Sequence, residues 1–483
     1  MNAPDAPENP DRPVHRAEVG QRSTQARRMA ERATSRRERQ ARHGRASIVP
    51  WCLAPFFWTP FLGALNDSLF TVGVVSVVTF QARLFGVARP HDVALVAGLL
   101  FVLPFLVFSA AAAQIADKVD HGRVIRASKT LEIITMIAAS AGFLIHDARI
   151  LDVCILLLGV RATLFHAVKR AYVPTPIRAA DAARGKRWLP SGTLAATLLG
   201  LLLGGVVASK VAGGMLLAVL CLSTALAGRV AAGAMPSAPA LLPERPIDWN
   251  PLTAIWRNLR DAAGNRTGFI GLIGIAWLWC VSAFLSTAVF GFARDVLHAG
   301  PSVVTLMLAV LVLGGAAGVM TGARFADGGR GWRFVPSGGI GVTVFAVDLY
   351  LASRGLPGPP PSLEAGALYD LPSFLHNVVH WRILCDLLLL ALTGGVCSVP
   401  LYRLAASRGG VRQRARSAAP NPTLTSASIV AALLLTVGLD ALGVPLPILF
   451  LLIAGANTVV IGGLCATLPT LSTSVRGASR RVR

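Results

Sequence analysis

The chain has 483 residues, of which 54% are hydrophobic and 14% charged, with a mean hydropathy of +0.60. A water-soluble chain carries about 25% charge, so this composition excludes a soluble globular protein. The formal charge of +22 would suit nucleic acid, but Lys and Arg flank apolar runs and no recognition module is present, which excludes that partner.

Residues 1–48 are polar and rich in Arg and Ala. They lack the apolar segment and small-residue cleavage site of a signal peptide. They read as a disordered cytoplasmic tail; the alternative is a basic helix over 29–45 lying on anionic lipid. Twelve apolar runs follow, near 52–82, 93–116, 124–146, 150–173, 189–209, 212–234, 267–292, 301–324, 333–353, 381–403, 424–444 and 446–469. Each can cross a ~30 Å hydrocarbon core as a helix. Residues 49–234 thus form one six-helix bundle and 267–470 a second, with a connection at 235–266 and a basic tail at 471–483. From Trp249 onward that connection reads as an amphipathic interfacial helix anchored by Trp249 and Trp256. Residues 354–380, rich in Pro and Gly, read as an irregular loop.

Roughly 38 of the 46 basic residues fall on the side of the N-terminus. Positive charge is retained on the cytoplasmic side, so both termini are expected in the cytoplasm. Twelve spans around a central cytoplasmic loop describe an all-α membrane protein of the major facilitator architecture, two six-helix bundles about a midplane site. The halves are too dissimilar in sequence to establish a repeat. Gly200, Gly204 and Gly205, and Gly314, Gly315 and Gly318, are placed to let helices approach closely. The seven cysteines lie in or beside apolar runs without metal-site spacing, so neither disulfide nor metal is expected. No cofactor is expected.

Polar residues inside apolar runs carry the functional signal, because ionisable groups at membrane depth are costly. Asn66 and Asp67 interrupt the first run. Asp67 reads as part of a pathway or as the gating partner of a cation, with helix packing as the plainer alternative; the family resemblance given below implies a headgroup contact. Lys169 reads as a phosphate contact, a partner for Asp67, or a lysine snorkelling to the cytoplasmic interface. Arg161, eight positions earlier on a similar helix face, is a further cavity cation or snorkels to the outer interface. Arg382 and Asp386 are spaced to pair along one helix. Asp348 would answer a cation elsewhere, and Lys129 with Glu132 would form a local pair. Trp277 and Trp279 are expected to pack or anchor at the interface.

The loop AQIADKVDHGRVIR, 113–126, resembles the signature loop of major facilitators. Asp117, Lys118, Gly122, Arg123 and Arg126 match, and Ala113 replaces the leading Gly. In that role the Asp would hold a neighbouring helix N-terminus and an Arg, and breaking the set would gate rocking of the bundles. The alternative is a solvated basic loop.

Five stretches together resemble the lysophospholipid transporter family, including the facilitator half of fused 2-acylglycerophosphoethanolamine acyltransferases. They are 61–70, 103–118, 249–279, 335–353 and 380–402. The distinctive strings are the Asn-Asp of the first span, the Trp-rich seventh span and HWR-x-x-x-D in the tenth. In the family Asn usually follows the Asp, often with Lys three positions after that; here stand Ser68 and Thr71.

The resemblance implies movement of lysophospholipid from the outer to the inner leaflet of a bacterial inner membrane, with Asn66, Asp67, Lys169 and Arg161 as the substrate-binding set. Membrane lipid and a separate acyltransferase would be its partners. None of the nine His residues has Asp five positions later, as His-x-x-x-x-Asp acyl transfer requires, and no Gly-x-x-x-x-Gly-Lys phosphate loop is present. The chain therefore reads as a transporter and not an enzyme. A proton-coupled exporter of a small drug or metabolite, titrating at Asp67 or Asp348, and a non-transporting scaffold for an acyltransferase are the rival readings.

Overall fold

The computed structural model describes residues 54–172, 179–235, 266–325, 334–356, 368–406 and 422–480, with a few positions between 253 and 264. Twelve of its helices are long and apolar enough to cross a membrane. In chain order they are α1 (Ala54–Phe80), α2 (Asp92–Lys118), α3 (His121–Ile145), α4 (Ala148–Ala171), α5 (Ala179–Ala208), α6 (Gly213–Gly233), α7 (Arg266–Gly291), α8 (Pro301–Phe325), α9 (Phe334–Arg354), α10 (Val378–Ala406), α11 (Pro422–Ala441) and α12 (Leu446–Arg480). All twelve expected spans are present. Being even in number, they put both ends of the bundle on one face, called here the terminal face. Pro60, Pro104, Pro190 and Pro400 lie within helices, as membrane helices tolerate when neighbours satisfy the freed carbonyls.

The exposed flanks are apolar, with Ile134, Ile137, Leu144, Val230 and Val344 all outward. In water such a surface would aggregate; in lipid it is solvated. This is a multi-pass membrane protein.

The packing repeats with a shift of six helices. The contacts α2·α4, α3·α4 and α3·α6 recur as α8·α10, α9·α10 and α9·α12. Between halves, the main packing is α2 on α11 and α5 on α8, a pair of seams that maps onto itself under the same shift; α2 also touches α7. The chain therefore folds as two equivalent bundles, a relation invisible in the residues.

Glycines set the close contacts. Gly200 and Gly204 lie on the α1 backbone at Leu65 and Leu69, and Gly314 and Gly318 on the α10 backbone at Leu388 and Leu392, with no room for a Cβ. Gly205 meets Thr305 of α8 across the halves. Gly315 faces open space instead.

Short polar caps set the turns. Asp120 starts α3 by accepting from the Arg123 N–H at 2.8 Å, and Asp147 starts α4 through Arg149 N–H at 2.8 Å. The expected irregular loop at 354–380 is more ordered than Pro and Gly suggest in its described part, 368–380. Asp370 caps a short helix, Leu371–His376, accepting from the Ser373 N–H at 3.1 Å. Tyr369 also exchanges backbone bonds with the α7–α8 turn, through His298 O at 2.7 Å and Gly300 N at 2.9 Å. The expected tail at 1–48 lies outside the described residues, as do Trp249 and most of the 235–266 connection. Trp256 is exposed and helical.

Candidate functional site

Asp67 stands at the centre of α1, and Glu132 and Arg161 stand next to the centres of α3 and α4. Three helices thus bring ionisable side chains to one depth, the middle of the membrane. Glu132 accepts from Lys129 Nζ at 2.8 Å and from Asn66 Nδ2 at 2.9 Å, and its Oε2 lies 3.3 Å from Arg161 Nη1. Arg161 Nη2 donates to Asp67. Two cations therefore face two carboxylates, and the cluster is neutral. Asn66, Lys129, Glu132 and Arg161 are fully buried; the Asp67 side chain, at 23% exposed, is the accessible edge.

Small residues make the burial feasible. Gly63 of α1 and Gly228 of α6 bracket the Lys129 ammonium, where an added Cβ would lie 3.1 and 3.0 Å from Nζ. The Phe165 ring lies 6.0 Å from Nζ on another side, within cation–π range. Asn66 Oδ1 and Arg161 Nε are buried without a hydrogen-bond partner among the described residues, leaving one acceptor and one donor unused beside Asp67.

Asn66, Asp67 and Arg161 meet in one cluster, with Arg161 in the place by Asp67 for which Lys169 was the candidate, and Arg161 does not snorkel to the outer interface. It is 1% exposed because both Nη atoms engage carboxylates. Lys129 and Glu132 form the expected pair and also belong to the larger cluster, which their spacing does not announce. Lys169 stands apart from that ion-pair set. Its Nζ donates to Thr193 Oγ1 of α5 at 3.2 Å, near the terminal-face end of α4.

In the signature loop, Asp120 is the acceptor capping α3, a residue outside the matched set. Gly122 is buried and Arg123 exposed; Asp117, Lys118 and Arg126 are half-buried. Tyr172, at the end of α4, is buried here, stacked on Phe56 at 5.6 Å and edge-on to His121. Burial and then the Asp120 charge push its phenol up to about 12.

In the second half, Arg382 reaches across to α9 and binds Asp348 with two N–H groups, Nε at 3.2 Å from Oδ2 and Nη2 to Oδ1. The expected pairing along α10 with Asp386 gives way to this one. A carboxylate on a facing helix accepts a guanidinium bidentately, which a side chain on the same helix does less well. Asp386 is buried behind the pair. These three groups lie towards the face opposite the termini. At mid-depth the second half is neutral: Asn457 of α12 bonds Trp277 Nε1 at 2.9 Å, Gly339 O at 2.8 Å and Thr343 Oγ1 at 2.9 Å.

A cavity of about 320 Å³ opens in this half, lined by α7, α8, α9 and α10. Trp279, Leu285, Leu311, Val342, Leu390 and Tyr402 define its walls, with Gly315 at its edge. Trp279 Nε1 donates to Tyr402 Oη at 3.1 Å. Trp277 packs as expected, whereas Trp279 lines the cavity.

The halves meet closely at the face opposite the termini. There His91 at the start of α2 bonds Asp440 at the end of α11 at 3.1 Å, and Gly205 meets Thr305. Towards the terminal face the α2·α11 seam continues through Ser109 and Thr423 at 3.2 Å.

The helix order, the six-helix shift and the two inter-half seams define the major facilitator fold, and solved structures agree. A peptide-transporter-family protein bound to 5-aminolevulinic acid superposes with a TM-score of 0.61 at 12% identity, covering 86% of this chain and 96% of that one. A bacterial homologue of the iron transporter ferroportin, inward-facing, gives 0.58 at 13%, covering 86% and 99%. A D-xylose–proton symporter gives 0.59 at 10%, covering 83% and 96%. At these identities the likeness is one of fold. No protein family and no curated protein matches the chain by sequence.

Proposed function

We propose that this protein is a secondary transporter that moves a lysophospholipid, such as lysophosphatidylethanolamine, between leaflets by alternating access. The observation that carries this reading is a division of chemistry between equivalent halves. One half holds a neutral ionic cluster at mid-membrane whose accessible edge is Asp67. The other holds an apolar cavity at comparable depth. A molecule with a zwitterionic head and one acyl chain matches both, and the resemblance of the Asn-Asp, Trp-rich and HWR-x-x-x-D strings supports the same class.

In this reading the headgroup amine approaches Asp67, while Asn66 Oδ1 and Arg161 Nε offer unused hydrogen-bonding capacity beside it. Lys169 stands near the terminal face and outside the cluster, where it would meet the phosphate on the way in. The acyl chain occupies the cavity between α7, α8, α9 and α10. With both termini in the cytoplasm of a bacterium, the face where His91 meets Asp440 and Gly205 meets Thr305 is the outer one. Movement to the other state repacks the α2·α11 and α5·α8 seams, with the Asp120–Arg123 corner as a gate. A separate acyltransferase would then restore the second chain.

An apolar small solute is the second reading, favoured by the hydrogen-bonded Trp279–Tyr402 wall. Leaflet movement of labelled lysophosphatidylethanolamine in proteoliposomes separates the two. Wild type should flip the lipid and Asp67→Ala should lose most of that activity. Folded wild-type protein that moves no lysophospholipid would refute the lipid reading.

A further inference from the structure

The mid-membrane cluster on α1, α3 and α4 is balanced, but the charged group on α9 and α10 is not. Arg382 spends Nε and Nη2 on Asp348. Asp386, one turn along α10, is 4% exposed, and its Oδ2 has no hydrogen-bond partner among the described residues. Asp386 stands one turn from Arg382 on α10 and beside the Asp348 carboxyl of α9. Two carboxylates therefore share one guanidinium that is already committed to the first.

Among the described residues of α7 to α10, no second cation is paired with Asp386; Arg294, in the turn that continues α7 at the same face, has a buried Nη1 without a hydrogen-bond partner. The ionisable side chain of α8 is Arg324 at its far end, and that of α7 within 268–291 is Cys280, bonded to Ser428 O at 2.9 Å. On α9, Arg354 donates to Tyr350 Oη at 3.3 Å. On α10, His380 Nδ1 is 2.8 Å from Phe374 O, and Cys385 is exposed. His376, on the adjoining short helix, is exposed.

A buried carboxylate left with net negative charge inside a membrane protein is costly. Two carboxyl groups in contact relieve that cost by holding one proton between them. We propose that Asp348 and Asp386 bind a single shared proton, positioned by Arg382, and that they form a proton site on α9 and α10 distinct from the Asp67 cluster. Hydronium in the bulk water supplies the proton: one of its O–H bonds breaks to leave water, one carboxylate O–H bond forms, and the group passes from a charge of −1 to neutral. The path is open, since the Arg382 and Asp348 side chains are 54% and 33% exposed. Coupling of this proton to cargo rests on the transport reading, whereas the site itself does not.

The test is infrared difference spectroscopy of the purified full chain in lipid, between mildly acidic and mildly alkaline pH, without cargo. Wild type should show a protonated-carboxyl C=O band that titrates. Asp386→Asn and Asp348→Asn should each abolish or shift it, and Asp67→Asn should leave it in place. Either variant suffices if the other fails to fold, because each removes one holder of the proton. A band unchanged in both variants, or no such band in wild type, overturns the proposal. Loss of the band on adding sodium at fixed pH overturns it in favour of a sodium site. Failure of lysophospholipid movement with the band present would leave the proton site standing and remove only the cargo.

Discussion

Glu132→Gln tests whether the mid-membrane cluster is held by charge balance. The change keeps size and shape, but it leaves Lys129 and Arg161 facing Asp67 alone, a net buried positive charge. Glu132 lies 2.8 Å from Lys129 and 3.3 Å from Arg161. At an effective dielectric of about 20 these pairs are worth about 5–6 kcal/mol each before desolvation is counted. Desolvation offsets much of that, and breaking one side of a buried ion pair costs about 3–5 kcal/mol. That is the expected loss, read as a shift of the denaturant midpoint in lipid–detergent micelles by tryptophan fluorescence. Adding Lys129→Met removes the surplus cation and leaves Asp67 with Arg161. The double variant should therefore be more stable than Glu132→Gln alone. Asp67→Asn should cost less than Glu132→Gln, because water reaches Asp67. A Glu132→Gln protein within about 0.5 kcal/mol of wild type, or a double variant no better than the single, would refute charge balance as the organising force.

Gly205→Ala places a methyl against Thr305 at the seam of α5 and α8; overpacking of about 1–3 kcal/mol should open the face opposite the termini, seen as wider spin-label distances across it. Trp279→Ala removes a cavity wall and its bond to Tyr402; it should raise the KM for lysophospholipid movement more than it lowers the maximal rate, and an unchanged KM would remove the cavity from the transport path. Asp370 caps its short helix, and hydrogen bonds from Ser373 hold its carboxyl below the ordinary value. Its folded-state pKa is depressed, so this stabilisation is present above the unfolded value and is lost as pH falls through the folded one. Hydrogen exchange at the Ser373 amide should accelerate over that acid range, and Asp370→Asn should flatten the response.

Periodicity and run length made the spans legible because lipid demands about 20 apolar residues per helix, and the twelve expected spans are the twelve helices. The Asn66–Asp67 pair was legible for the same reason in reverse, as an expense that needs a cause. Its partners were less so. Glu132 is 66 positions from Asn66 and Arg161 is 94 from Asp67, and no local spacing announces such contacts. Arg382 shows the opposite failure: a spacing of four offered Asp386, and the facing helix supplied Asp348. The cavity left a partial trace, in Trp279 and the glycines of α8, but its walls come from four helices.

The repeat is the least legible feature and the one with most consequence. Packing contacts of α2, α3, α4 and α6 recur in α8, α9, α10 and α12, although the residues that fill them differ. In the first half, α1, α3 and α4 are tied at mid-depth by Arg161, which pairs with Asp67 of α1 and Glu132 of α3, so relative sliding would break ion pairs in a low dielectric; the Lys129–Glu132 pair is local to α3. In the second half the mid-depth bonds are neutral and run through Asn457, while α7, α8 and α10 part around the cavity. A rigid bundle facing a more yielding one, joined at α2·α11 and α5·α8, concentrates strain at those two seams and in the cavity walls. The Gly205 and Trp279 variants should therefore alter movement between states more than they alter folding, whereas Glu132→Gln should do the reverse.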